Sequence, residues 1–226
     1  MVECPTCGFE NSPFVSICVS CKSFLRAKVE NLDLFATLWL MVESPRAAFL
    51  RIVSSKHKNY AVLLSAFSGI AVTYEFFWLM RWGNSSSNLF SLLAGGLVAG
   101  PLVGILLLGA TAFFLRQIKP KSTWKDTYAA VAYAGVPMVF SLVFIFPVEI
   151  AVFGLFFFGS NPPPSVLDPV PYYTLRTISA LTGFWAILLL GLAISVLKEI
   201  PIRRGVSYSL IMFAGIAGSL VAIKSL

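Results

Sequence analysis

The sequence predicts an all-α integral membrane protein with five transmembrane helices behind a small N-terminal zinc ribbon, and three observations predict it. The 226 residues are 58% hydrophobic and only 12% charged, with a mean hydropathy of +0.84, well outside the range of a water-soluble domain. Five apolar runs, over 60–80, 89–115, 128–158, 177–197 and 206–223, are long enough to cross a hydrocarbon core, which takes roughly 20 residues at about 1.5 Å rise each. All four cysteines fall within the first 25 residues. The chain therefore divides into a ribbon over 1–25, a linker with interfacial helices over 26–58 and a membrane domain over 59–226.

The ribbon is read from Cys4-Pro-Thr-Cys7-Gly8 and Cys18-Val-Ser-Cys21, two C-x-x-C pairs separated by ten residues. Two residues between cysteines let a tight turn aim both sulfurs at one metal, and Gly8 can supply a positive φ there. Four thiolates complete a tetrahedral Zn2+ site with no open position, so the zinc is structural rather than catalytic. So small a unit has no adequate core, and the metal supplies most of its folding energy. Lys22, Arg26 and Lys28 are placed to soften the site's negative charge. A redox reading of the C-x-x-C pairs needs a strand-helix thioredoxin context, which is missing.

The formal charge of +7 does not point to nucleic acid, because in a membrane chain the position of lysines and arginines sets orientation. Arg46, Arg51, Lys56 and Lys58 precede the first run, Arg116, Lys119, Lys121 and Lys125 follow the second, and Lys198, Arg203 and Arg204 follow the fourth. The other side carries Arg81, Arg176 and Lys224, so eleven basic residues face three. The N-terminus is thereby expected in the cytoplasm and the C-terminus outside. The opening residues lack the pattern of a cleaved signal, and the first run is expected to drive insertion. The third run is overlong, with Pro147 interrupting it, and must kink, tilt or protrude over 147–158. Five prolines between Asn161 and Pro171 predict a stiff, extended external loop, read as a spacer in preference to a ligand-recognition element.

Residues 31–42 are apolar but too short to span, and Ser44-Pro45 then restarts a helix with a serine cap and proline at its first position. Two readings stand level. In one, Leu34, Leu38, Trp39 and Met41 lie on the cytoplasmic leaflet while Arg46, Arg51, Lys56 and Lys58 approach anionic headgroups. In the other, the segment packs beneath the bundle. His57, the only histidine, has no metal partner and reads as a solvated side chain.

Within the runs, Gly96, Gly100 and Gly104 line one helix face at four-residue spacing, with Ala214, Gly218 and Ala222 a weaker counterpart. Packing inside one bundle accounts for them in preference to a homo-oligomer interface, which the motif leaves open. Glu75 and Glu149 are the ionisable residues inside spans and so the candidate intramembrane functional residues. Both sit toward the outer side, within reach of headgroups, Arg81 or Arg176. No histidine-nucleophile pair, metal-binding carboxylate pair or phosphate-cradling loop is present in the sequence, so catalytic residues are not assigned and the protein is read as no enzyme.

The ribbon sequence looks like the short zinc-ribbon heads at the front of many prokaryotic membrane proteins, departing from their pattern at Lys22, where a second glycine is usual. Trp39 followed by Glu43-Ser-Pro45-Arg-Ala-Ala-Phe49, and Lys121-Ser-Thr-Trp-Lys125-Asp-Thr-Tyr128 leading to Ala132-Tyr133-Ala-Gly-Val-Pro137, resemble the Yip family of five-span proteins, named for interaction with Ypt/Rab GTPases. The likeness covers roughly residues 34–224. It implies an all-helical five-span domain with its N-terminus in the cytoplasm and brings no catalytic residues. The Asp-Leu-Tyr-Gly-Pro motif of eukaryotic members is missing, and the ribbon points to a prokaryotic cytoplasmic membrane. The function expected is a non-enzymatic membrane anchor and scaffold, embedded in the bilayer, whose ribbon or basic cytoplasmic loops engage a protein partner. The alternative is a small transporter or channel subunit using Glu75 and Glu149.

Overall fold

A computed structural model describes residues 2–12, 15, 17–23, 25, 31–86, 88–118 and 122–224, with the backbone alone from residue 216 onward. Arg26, Lys28, Lys119 and Lys121 lie outside the described residues, as do the side chains of Ala222 and Lys224 and the surroundings of Gly218. Two short strands, β1 (Val2–Glu3) and β2 (Glu10–Asn11), pair antiparallel with Val2 opposite Asn11, and the first cysteine pair occupies the turn between them.

Two short helices precede the first long one. Helix α1 (Leu34–Glu43) starts where the Asp33 carboxylate accepts the Ala36 amide at 2.7 Å, satisfying one of the donors that a helix start leaves unpaired. Helix α2 (Pro45–Ser54) opens on proline, whose missing N–H costs nothing at that position. Ser44 is its N-cap by position only, since its side chain makes no cap bond. Of the four residues expected on the leaflet only Trp39 is exposed: Met41 is buried and Leu34 and Leu38 pack against the core. Ala48, Phe49, Ile52 and Val53 of α2 are buried in the bundle's core, whereas α1 leaves Phe35, Trp39 and Val42 exposed. Lys58 departs from its expected headgroup role. Its ammonium donates to the carbonyls of Ile52, Val53 and Ser55 at 2.6, 2.8 and 2.9 Å and pairs with Asp126 at 2.8 Å, closing the end of α2.

The first two long helices are α3 (Ala61–Leu79) and α4 (Leu89–Gln117), close to the predicted runs. The third run is not one element. Helix α5 (Trp124–Ala134) begins with a capping box of Thr123 and Asp126 and buries Thr127 and residues 129–134. The chain restarts at Gly135 as α6 (Val136–Phe140), with Pro137 in its first turn. A π turn (Ser141–Ile145), α7 (Phe146–Phe153) and a 3-10 turn (Gly154–Phe158) complete the segment. Pro147 explains the wide turn before it: proline donates no N–H and its ring crowds the carbonyl four residues back, which a π turn relieves.

The predicted extended loop is also corrected. Pro164–Leu167 forms the short helix α8, and Pro169 opens α9 (Pro169–Lys198), so Pro169 and Pro171 sit in a first turn where no N–H is needed. Helix α10 (Ile202–Lys224) follows after a short turn at Glu199. Among the described residues, four helical segments are long and apolar enough to cross a membrane: Ala61–Leu79, Leu89–Gln117, Val136–Phe158 and Pro169–Lys198.

Glycine faces set how closely these helices approach. Gly96, Gly100 and Gly104 are buried against α3 of the same chain: a methyl at Gly100 would lie 2.5 Å from the Ile70 Cα, and one at Gly104 would overlap the Ser65 carbonyl. Gly69 of α3 answers them, and Tyr74 bonds across to the Leu93 carbonyl at 2.7 Å. The α9–α10 contact uses Gly191 against Gly205, a pair the sequence reading passed over in favour of Ala214, which is exposed. One core lies at the end where α2, α5 and the last turns of α9 meet, built on Phe49, Ile52, Tyr133 and Leu197. A second, aromatic core at the far end stacks Tyr74 on Phe146 at 4.3 Å and buries Phe153, Phe157 and Phe158.

Candidate functional site

The four cysteines come together. The Gly8 amide bonds to the Cys4 carbonyl at 2.9 Å, and the Lys22 amide to the Cys18 carbonyl at 3.1 Å, so the two C-x-x-C pairs are folded by the same turn. Both turns end on a positive φ, +70° at Gly8 and 60° at Lys22. Lys22 therefore takes a conformation that a glycine adopts without strain, which is why a glycine is the usual residue at that position of the pattern.

The Cys4 and Cys21 sulfurs lie 3.6 Å apart, as do those of Cys7 and Cys18, and all four fall within 4.8 Å of one another. A tetrahedral zinc with bonds of about 2.3 Å needs sulfur–sulfur separations of roughly 3.8 Å. The arrangement fits such an ion with every position taken by protein, which leaves none for a substrate or an activated water.

Two residues that the sequence reading did not single out hold the cysteines. Asn11, almost fully buried, accepts the Val19 amide at 2.9 Å and donates to the Phe9 carbonyl at 2.7 Å and the Cys18 sulfur at 3.5 Å, tying one pair to the other. The Ser23 hydroxyl sits 3.1 Å from the Cys4 sulfur and 3.0 Å from that of Cys21. That hydroxyl is the main reason the Cys4 thiol is lowered to about 6, with backbone amides adding to it. The sequence places Asn11 between the two C-x-x-C pairs, from where one side chain can reach both. Ser12 donates to the Glu199 carboxylate at 2.6 Å, so the ribbon lies at the same end of the bundle as the α9–α10 turn.

The two intramembrane glutamates meet at the opposite end. Arg176 of α9 donates to both Glu75 oxygens at 3.0 and 2.8 Å, and the same guanidinium lies 3.6 Å from Glu149. It also stacks over the Trp78 ring, 3.8 Å from its centroid. Glu149 is 2% exposed and accepts the Ser179 hydroxyl at 3.2 Å. Arg81, the other candidate partner, is engaged elsewhere, with the Gly159 carbonyl at 3.3 Å and the Trp78 ring. Both glutamates border one cavity of about 10 Å³ with Tyr74, Ser141, Leu142 and Phe146, room for about one water. The cluster joins α3, α7 and α9 through a shared cation.

The family model described as the Yip1 domain matches residues 39–223, starting at Trp39 and ending in α10, with the ribbon left outside. Neither the curated proteins nor the solved structures contain a match to this chain.

Proposed function

Because this chain belongs to the Yip1 domain family, we propose that it is a non-enzymatic membrane scaffold whose zinc-loaded ribbon is the interaction head. Its multi-pass helical domain anchors it in the bilayer. The observation that carries the reading is the closed four-cysteine cluster: a site with all four ligands from protein organises a surface and leaves no position for chemistry. Contact with the α9–α10 turn through Ser12 and Glu199 supports a head held at the bundle's end rather than trailing from it. Exposed Arg46, Lys56, Lys125, Arg203 and Arg204 cluster toward that end and give a protein partner a basic surface to read.

The same reading makes α10 the fifth crossing. Its 23 residues span about 35 Å, and 206–223 carries no charged residue. With five crossings and the basic residues on the ribbon's side, the N-terminus lies in the cytoplasm and the C-terminus outside. A prokaryotic cytoplasmic membrane is the proposed location, and a protein of the cytoplasm the proposed partner.

The alternative, a small transporter or channel subunit using Glu75 and Glu149, draws on their common cavity. Against it, Arg176 already occupies the place a transported cation would take, and the cavity admits no larger solute. The test is affinity capture from nanodiscs, comparing the native chain with one carrying Cys4→Ser, Cys7→Ser, Cys18→Ser and Cys21→Ser and shown to insert normally. Partners lost only with the cysteines support the scaffold. Identical partner sets, or cation flux that depends on Glu75 and Glu149, would overturn it.

A further inference from the structure

We propose that α1 is an in-plane membrane helix: its outer face is seated in the bilayer leaflet on the ribbon's side, at the boundary between headgroups and acyl chains. Phe35, Trp39 and Val42 recur at the spacing of one helix face and are 81%, 66% and 63% exposed. Asp33 and Glu43 bound this stripe at its two ends, so the apolar surface is as long as the helix and no longer.

Three observations name the occupant. The inner face of α1 is turned to the protein. Met41, with Leu34, Leu38 and Leu40, belongs to the same core as Ala61 and Leu64 at the start of α3 and Leu189 and Ala193 inside α9. Helix α1 packs on α2 and through it joins that core, so its inner face is committed to the bundle and only the outer stripe is left to be covered. Position along the chain agrees: α1 leads through α2 directly into α3, whose first turn exposes Val62 and Leu63. Charge agrees too. Arg46 and Lys56, exposed at the two ends of α2, bring positive charge to the level where phosphates lie. Tryptophan beside a basic segment is the composition that an interfacial helix favours. Lipid accounts for the stripe without a second protein, and the assignment does not depend on what the ribbon binds.

The test uses the full chain in nanodiscs loaded with one copy each, made from lipid brominated near the headgroup, lipid brominated near the bilayer centre, or unbrominated lipid. Tryptophan fluorescence of the native chain is compared with that of Trp39→Phe, a change at an exposed ring that leaves the cores intact, with thermal unfolding as the check on folding. The difference between the two isolates Trp39 from the other four tryptophans. The expected result is that shallow bromines remove about half or more of the Trp39 signal and deep bromines remove less, as for a helix buried about 5–10 Å into the boundary. A Trp39 signal quenched by aqueous acrylamide and untouched by bromine would place the stripe in water and overturn the proposal. A signal shielded from both quenchers would mean that protein covers it, which overturns the proposal equally.

Discussion

Arg176 holds Glu75 by two parallel hydrogen bonds of 3.0 and 2.8 Å while standing 3.6 Å from Glu149, so one guanidinium serves carboxylates from two other helices. Of the three, Glu149 is the most deeply placed, at 2% exposure. Removing the cation leaves that carboxylate without its counter-charge. Arg176→Met is expected to destabilise the membrane domain by about 3–5 kcal/mol, the cost of breaking a buried pair from one side. Arg176→Lys should fall in between, since lysine keeps the charge and loses the bidentate geometry. Unfolding in nanodiscs measures both, and adding Glu149→Gln to Arg176→Met should recover part of the loss.

The glycine face of α4 gives a sharper test of helix contact. A methyl at Gly100 or Gly104 meets the backbone of α3, which cannot turn aside as a side chain can. Gly100→Ala and Gly104→Ala are each expected to cost on the order of 1–3 kcal/mol, as overpacking does. Gly109, on the same helix, meets nothing within 4 Å, so Gly109→Ala should be neutral or slightly stabilising. Equal effects at all three positions would contradict the packing.

Lys22 offers a stabilising change. It holds a φ of 60° at the position where the matching turn has Gly8 at +70°. Lys22→Gly should stabilise the ribbon by about 1 kcal/mol through relief of that conformation, and Gly8→Ala should do the reverse. Zinc competition with a chromophoric chelator reads both changes as shifts in affinity.

Asn11 and Ser23 hold the cysteines without being ligands. Asn11→Ala unties the two knuckles and Ser23→Ala removes the hydroxyl shared by Cys4 and Cys21. Each is expected to weaken zinc binding by roughly 10–100-fold, the usual cost of losing an outer-shell partner. Affinity unchanged in both would remove them from the site.

Much of this was legible in the sequence because the signals were local. Two C-x-x-C pairs at matched spacing bring four sulfurs together wherever the rest of the chain goes. Apolar run length marked α3 and α4 almost to the residue, and the glycine spacing of α4 marked its packing face. The parts that went astray depend on contacts between distant residues or on backbone detail. The run from 128 looked continuous because residues 128–134 carry no charge and lead into the crossing without a polar break; burial by α2, α3 and α9 makes 124–134 a core helix. Prolines 169 and 171 suggested a loop, yet a helix's first turn needs no N–H from them. Lys58 looked like a headgroup ligand until the carbonyls closing α2 and Asp126 supplied nearer partners. Glu75 and Glu149, far apart in sequence, share Arg176 only once the helices are packed.

The most direct test of a metal-built head is the zinc content of the purified full chain, measured beside the variant with all four cysteines changed to serine. The expected result is one zinc per native chain and none in the variant, with thermal unfolding of the membrane domain unchanged between them. A native chain free of zinc, with its thiols reactive or joined in disulfides, would contradict it.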